Sequence, residues 1–306
     1  MKSFCKKMIE PVLIVSVGFI LCCYDSGSKN SLVQAEKRDE SELIPISISK
    51  CIENKNFSEL ADTSIPRLLS LSDNSRRELL EHLETLSIPE RVAVLIFLQV
   101  GTPYKTGPLG EDIEPDTDPV FSLKFADCTV MILIAESLAH AIEYRGETRA
   151  MQFANYRVGD ISYENRFHFT TDRLDSSPFD RDITKLIAPE FVKTVSVNLN
   201  EKLNGEKWIP INWSRKRIIN YIPFSRTEDA KNWFESGRLP EAVGVGFLKK
   251  KFMENGLDLL HEGFLWKGEI LVHASSRAGR VVSVNWRDFI KERGGLYDGV
   301  IFYEFL

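Results

Sequence analysis

Phe125-Ala126-Asp127-Cys128-Thr129, continuing through Val130-Met131-Ile132-Leu133-Ile134-Ala135 to about Tyr144, is the stretch that decides the fold. It is too long for a strand and apolar all round, which marks a helix buried among other elements. Asp127 stands where a helix cap is expected. Cys128 falls in the first turn, where unpaired N–H groups and the positive end of the helix dipole favour a thiolate. Such positions lower a thiol pKa from about 8.5 to roughly 3.5–7.5, whereas apolar burial acts in the opposite direction. Cys128 therefore reads either as a nucleophile or as a small buried hydrophobe.

A buried helix needs a surface to lie on, and the C-terminal part of the chain supplies one. Val243-Gly244-Val245-Gly246-Phe247, Leu257 to Trp266, Glu269 to Ala274, Arg280 to Asn285 and Val300 to Phe305 are short apolar runs joined by turns. That pattern predicts an antiparallel sheet and an α+β fold. His261 and His273 each sit on one of these otherwise apolar strands. With Lys267-Gly268 as a two-residue turn, His261 faces Ala274 and the two histidines lie on opposite faces. With Trp266-Lys267-Gly268 as a three-residue loop, His261 lies directly opposite His273, Cβ atoms about 4.5–5.5 Å apart. The second register would supply a base and a residue to orient it.

Upstream, Ser72-Asp73-Asn74-Ser75 caps a helix over Arg76 to Leu86, and Ser87-Ile88-Pro89-Glu90 caps another through Val100. Gly101 ends the second, and Thr102-Pro103-Tyr104 opens an irregular stretch to about Asp118. Residues 36–57 are polar without sustained periodicity and read as a linker or loosely docked arm. At the start, Lys2, Lys6 and Lys7 precede an apolar run from Pro11 to Cys23, too short to span a bilayer, so residues 1–35 read as an export signal. Cleavage after Val33-Gln34-Ala35, lipidation of Cys22 or Cys23, and an uncleaved anchor remain open.

The chain of 306 residues, 43% apolar and 27% charged, can bury a large core without disulfide staples. Its formal charge of −5 argues against a nucleic-acid binder, which needs a basic stripe. Removing residues 1–35 deletes four lysines and two acids and takes the charge to −7. The five cysteines, at 5, 22, 23, 51 and 128, form no C-x-x-C pair. Cys51 and Cys128 could pair in an oxidising compartment or stay free. Five tryptophans, at 208, 213, 233, 266 and 286, read as core and hairpin packing rather than as a sugar-stacking surface.

Gly101-Thr102-Pro103-Tyr104, Asp127-Cys128-Thr129, Arg166-Phe167-His168-Phe169, His261-Glu262-Gly263-Phe264 and His273-Ala274-Ser275 occur in that order, the second histidine twelve positions after the first. Together they resemble the NlpC-type papain-like cysteine amidohydrolases, and most of all the N-acetylmuramoyl-L-alanine amidase-like branch, from about residue 60 to the C-terminus. The resemblance implies a catalytic domain over 58–306, with extra N-terminal helices and a cysteine-bearing helix packed on a central antiparallel sheet. It implies Cys128 as nucleophile, His261 as general base and acid, and His273 as the polar residue that orients His261. Tyr104, Arg166, His168 and Tyr221 are carried over as substrate-binding candidates, with Asp127 as cap and possible substrate positioner. The implied substrate is peptidoglycan fragments, cleaved between the muramoyl lactyl group and L-alanine. A D-glutamyl bond in the peptide stem, or wall binding without turnover, are the alternatives. No cofactor and no metal is called for, although Cys128, His261 and His273 would also make a zinc inventory. Three departures accompany the match: Ala126 replaces the usual Phe, the run after Cys128 lacks a second threonine and an acid, and Glu262 stands where a small apolar residue is usual.

Overall fold

The computed structural model describes residues 44–109 and 120–306. The export segment 1–35 and the part of the irregular stretch beyond Leu109 lie outside the described residues. The helices are α1 (Ile46–Glu53), α2 (Asp73–Leu83), α3 (Ile88–Phe97), α4 (Cys128–Ala139), α5 (Glu147–Asn155), α6 (Thr170–Leu174), α7 (Thr184–Ile187), α8 (Ala230–Glu235), α9 (Lys250–Met253) and α10 (Trp286–Arg293). The strands are β1 (Asp180–Asp182), β2 (Lys193–Leu199), β3 (Arg215–Pro223), β4 (Ala242–Leu248), β5 (His261–Trp266), β6 (Ile270–Ser275), β7 (Arg280–Asn285) and β8 (Gly299–Phe305). Among the described residues they form one antiparallel sheet in the order β2-β3-β8-β4-β5-β6-β7, with β1 also paired to β8. The fold is α+β.

Side-chain alternation divides the interior into two cores on opposite faces of this sheet. Phe264, Trp266, Val272, Ala274, Ile301 and Tyr303 join α1 to α4 on one face. Val243, Val245, Phe247, Leu265, Leu271, Val300 and Phe302 pack with α7, α8 and α10 on the other. The apolar run after Cys128 lies wholly inside the first core, every residue from Val130 to Ala139 being buried. It ends as a helix at Ala139 rather than near Tyr144. His140 stacks flat on Phe179 with ring centroids 4.1 Å apart, and the chain then turns through positive φ at Arg145 and Gly146.

Local chemistry sets the helix starts. Ser75 N donates to Ser72 Oγ at 3.0 Å, Ser87 N donates to Glu90 Oε2 at 2.9 Å, and Val130 N donates to Asp127 Oδ1 at 2.9 Å. Each satisfies a donor that a helix N-terminus leaves open. The linker expected over 36–57 is replaced from Ile46 onward by α1, which buries Ile48, Cys51 and Ile52 in the first core, followed by buried Phe57. The repeat of apolar residues there is too short to stand out from its polar flanks.

The β5–β6 hairpin adopts neither expected register. Lys267 and Gly268 both have positive φ, 50° and 67°, and Glu269 N donates to Trp266 O at 3.0 Å, which closes a tight turn. Glu269 then stays outside the ladder, so that Trp266 pairs with Ile270, Leu265 with Leu271 and Phe264 with Val272. His273 consequently lies opposite Gly263, two residues along from His261. Because side-chain direction repeats every two residues, both imidazoles still project from the same face.

On β4, Gly244 and Gly246 turn toward the first core. A Cβ on Gly244 would fall 2.0 Å from the ring of fully buried Tyr303. Gly244→Ala is expected to destabilise the fold by about 1–3 kcal/mol or more through overpacking. Chemical denaturation checks this, and an unchanged midpoint would show that the Tyr303 ring can yield.

Candidate active site

Residues far apart in sequence meet at one end of the sheet. The segment before α4 is tied to the sheet edge: Gly101 N donates to Val281 O and Tyr104 N to Gly279 O, both at 2.9 Å, while Ala126 N donates to Pro103 O at 3.0 Å. The Gly-Thr-Pro-Tyr turn is thus a splice between β7 and the start of α4, and it brings Tyr104 to the cleft. Gly101, with φ 96°, makes the bend after α3 possible. Asp127 binds both Val130 N and, through Oδ2, Gly107 N at 3.2 Å.

Cys128, His261 and His273 line one cleft of about 250 Å³ together with Tyr104, Ser275, Arg293 and Tyr297. His261 Nε2 lies 2.9 Å from His273 Nδ1, the two rings nearly perpendicular at 87°. Phe247 stacks on His261 at 5.7 Å and Phe289 packs on His273 at 5.2 Å, so both rings are held from the second core. α4 meanwhile packs on β5 and β6 from the first-core side. One proton sits between the imidazoles, and its assignment follows from the network. If His261 Nε2–H donates to His273 Nδ1, the Nδ1 lone pair of His261 remains available to take a proton.

Electrostatics keep all three groups neutral at rest. Burial, with the charges of Asp127 and Glu262 beside it, pushes the Cys128 thiol up to about 12, although the residue keeps some solvent access. The backbone N–H of Glu262 and the Thr129 hydroxyl oppose this by hydrogen bonding to the sulfur. Burial holds His261 down to about 3, with His273 and Arg293 adding to the effect, and holds His273 down to about 4, with Arg293 contributing.

Glu262, directly after His261, points to the opposite face of β5. There it is buried against Arg173, whose Nη2 lies 3.1 Å from Glu262 Oε1 and whose Nε lies 2.8 Å from Asp180 Oδ2; Tyr303 Oη donates to Glu262 Oε1 at 3.4 Å. Burial, and Asp180 beside it, raise Glu136 well above the carboxylate range. Burial raises Asp180 as well, against the opposing charge of Arg173. Thr171, two residues before Arg173 on α6, binds Asp258 Oδ2 through both N and Oγ1 at 2.7 and 2.8 Å.

Several carried-over residues lie elsewhere. Arg166 is buried, its Nη2 donating to Leu109 O at 2.6 Å and Tyr156 Oη at 2.8 Å, so its described contacts are with the protein interior rather than with the cleft beside Cys128. His168 Nε2 donates to Tyr163 O at 2.6 Å. Tyr221 is buried in β3, opposite Lys193 of β2. Of the binding candidates, Tyr104 alone is among the residues lining the cleft, and Asp127 serves as the cap. Arg293 and Tyr297 line the cleft and were missed, since nothing in the local sequence of α10 and its following turn distinguishes them from surface residues. Cys51 and Cys128 are both free. Among the described residues no group of three or more His, Cys, Asp or Glu is arranged to hold a metal ion.

A family model described as AmiA-like, N-acetylmuramoyl-L-alanine amidase-like, matches residues 96–296, which include every residue of this cleft except Tyr297. The chain belongs to this family. It is accordingly an amidase-like hydrolase, with peptidoglycan as the substrate that membership implies. Its fold is similar to that of a crystal structure of a Legionella pneumophila protein, with TM-score 0.60 and 20% identity over 84% of this chain and 97% of that one. It is also similar to an N-acetylmuramoyl-L-alanine amidase from Bacteroides uniformis, with TM-score 0.55 and 17% identity over 72% of this chain and 99% of that one. No curated protein matches significantly.

A thiol raised to about 12 is almost wholly protonated at neutral pH, and its thiolate fraction grows tenfold for each pH unit below that value. Iodoacetamide should therefore alkylate Cys128 at pH 7.5 at least a hundredfold more slowly than free cysteine, the rate still climbing above pH 10. Peptide mapping of the alkylated protein measures this. A plateau near pH 8 would show a thiolate stabilised at rest.

Proposed function

We propose that the chain is an exported cysteine amidase of the NlpC-type papain-like class, hydrolysing the amide between the lactyl group of N-acetylmuramic acid and L-alanine in peptidoglycan fragments. The observation that carries the reading is the 2.9 Å contact between His261 and His273 in the same cleft as Cys128 at the start of α4. A nucleophile at a helix N-terminus, a base and a residue orienting that base form the generalised triad.

The three groups start neutral, so His261 Nδ1 takes the thiol proton as the sulfur attacks the amide carbonyl. Unpaired backbone N–H groups in the first turn of α4 face the developing oxyanion. The imidazolium then protonates the departing alanyl nitrogen, a strongly favoured transfer for a ring whose surroundings resist positive charge. Water cleaves the thioester, with His261 again as base. His273 Nδ1 accepts from His261 Nε2–H throughout and holds the productive tautomer. Export, by cleavage or by a lipid anchor, belongs to the same proposal and rests on the lysine-then-apolar pattern of residues 2–23.

Mass spectrometry of a muropeptide digest tests the bond. The expected products are a free muramic acid carboxylate and a peptide with an L-alanyl N-terminus, absent with Cys128→Ala at unchanged melting temperature. Undiminished turnover by that variant would overturn the mechanism, and a cut inside the stem would overturn the assigned bond. His273→Asn can still accept a hydrogen bond, so steady-state kinetics should show kcat reduced roughly 10- to 1000-fold with KM little altered.

A further inference from the structure

The catalytic cleft does not end at His273. A second cavity, of about 590 Å³, shares His273, Ser275, Arg277, Phe289 and Arg293 with it and continues between the β6–β7 turn and α10. Its wall carries two cations, Arg277 and Arg293, and two acids, Asp288 and Glu292. Arg277 Nη1 binds Glu292 Oε1 at 2.9 Å and lies out in solvent. Arg293 is placed differently. Its closest carboxylate is the same Glu292 oxygen at 3.8 Å, already engaged by Arg277, and its buried Nε has no hydrogen-bond partner among the described residues. Its guanidinium rests 5.9 Å from the centre of the Phe289 ring. Elsewhere, buried or half-buried arginines such as Arg173, Arg215 and Arg217 are closely matched to carboxylates. Arg293 is a cation held at the catalytic cleft without a matched anion, and its charge is felt at both imidazoles.

The direction of the reaction says which part of a substrate would meet it. A base that protonates the leaving amine must stand on the leaving-group side of the scissile bond. The alanyl portion and the residues after it therefore leave past His261 and His273, toward the second cavity. Building on the assigned bond, we propose that the groove between the β6–β7 turn and α10 is the peptide-stem subsite, in which Arg293 binds the free carboxylate of the residue following L-alanine. The ligand class is an anionic peptide with its carboxylate one residue beyond the scissile amide. Two donors on a planar guanidinium suit a carboxylate, and of the two guanidinium groups on this wall Arg277 is already engaged by Glu292.

Binding separates this inference from the choice of bond. Isothermal titration of the Cys128→Ala protein and of a Cys128→Ala, Arg293→Gln double variant uses two synthetic muramyl dipeptides, identical except that the glutamyl α-carboxylate is free in one and amidated in the other. The Cys128→Ala protein should bind the free carboxylate at least tenfold more tightly. The double variant should lose that preference, by weakening toward the carboxylate form alone, and Arg293→Lys in the same background should restore part of it. A preference that survives Arg293→Gln, or equal affinities before the substitution, would overturn the subsite. A digest showing cleavage at another bond would instead overturn the assigned chemistry while leaving the affinity ratio to judge Arg293. Circular dichroism and melting of each variant establish that the fold is retained.

Discussion

The five-residue helix α6 grips the chain on both sides of His261. Thr171 holds Asp258 three residues before the histidine, and Arg173 holds Glu262 immediately after it. Arg173 also binds Asp180 of β1, and both carboxylates bear on buried Glu136 of α4, raising it together with burial. One buried guanidinium thus links β5, β1 and α6, and its charge is felt at Glu136 on α4. Loss of a partner from such a pair leaves an uncompensated buried charge, typically about 3–5 kcal/mol. The position of His261, and of the Glu262 N–H that reaches the Cys128 sulfur, follows from this clamp. Glu262, a departure from the usual small apolar residue, belongs to it. Gly244 of β4 makes the room in which Tyr303 can reach the same carboxylate.

The clamp also sets the character of the chemistry. Burial, with the charges of Asp127 and of the clamp's Glu262, opposes ionisation of the thiol, while burial, with Arg293, opposes protonation of the imidazoles. A separated thiolate–imidazolium pair is therefore disfavoured before substrate arrives. In the mechanism proposed above, charge develops only as the sulfur bonds to carbon and the backbone donors at the start of α4 meet the oxyanion, which is where stabilisation raises the rate.

Much of this was legible in the sequence because it depends on local periodicity. The continuous apolar run from Val130 announced a buried helix, Ser72, Ser87 and Asp127 announced caps, and strand-like runs announced the antiparallel sheet. The sequence leaves open whether His261 and His273 share a face, since a two-residue turn and a three-residue loop give opposite answers, and the placement of Glu269 outside the ladder is visible only in the folded chain. Arg166 and Arg293 show the limit. Both are arginines in ordinary surroundings, and only the folded chain distinguishes one turned inward to Leu109 and Tyr156 from one left at the cleft. Likewise α1 carries too few apolar positions to be told from a linker until they meet the first core.

The turn at Lys267 to Glu269 leaves a rule of parity for anything that alters it. His261 and His273 meet on one face because the number of residues separating their ladder positions is even. Lengthening or shortening the turn by one residue would send one imidazole through the sheet to the side of Glu262, unless a bulge elsewhere restored the count. A change of two would slide the strands while leaving both rings together. Among relatives of this chain, turn lengths that vary in steps of two are compatible with both imidazoles on one face, and odd steps demand a compensating bulge.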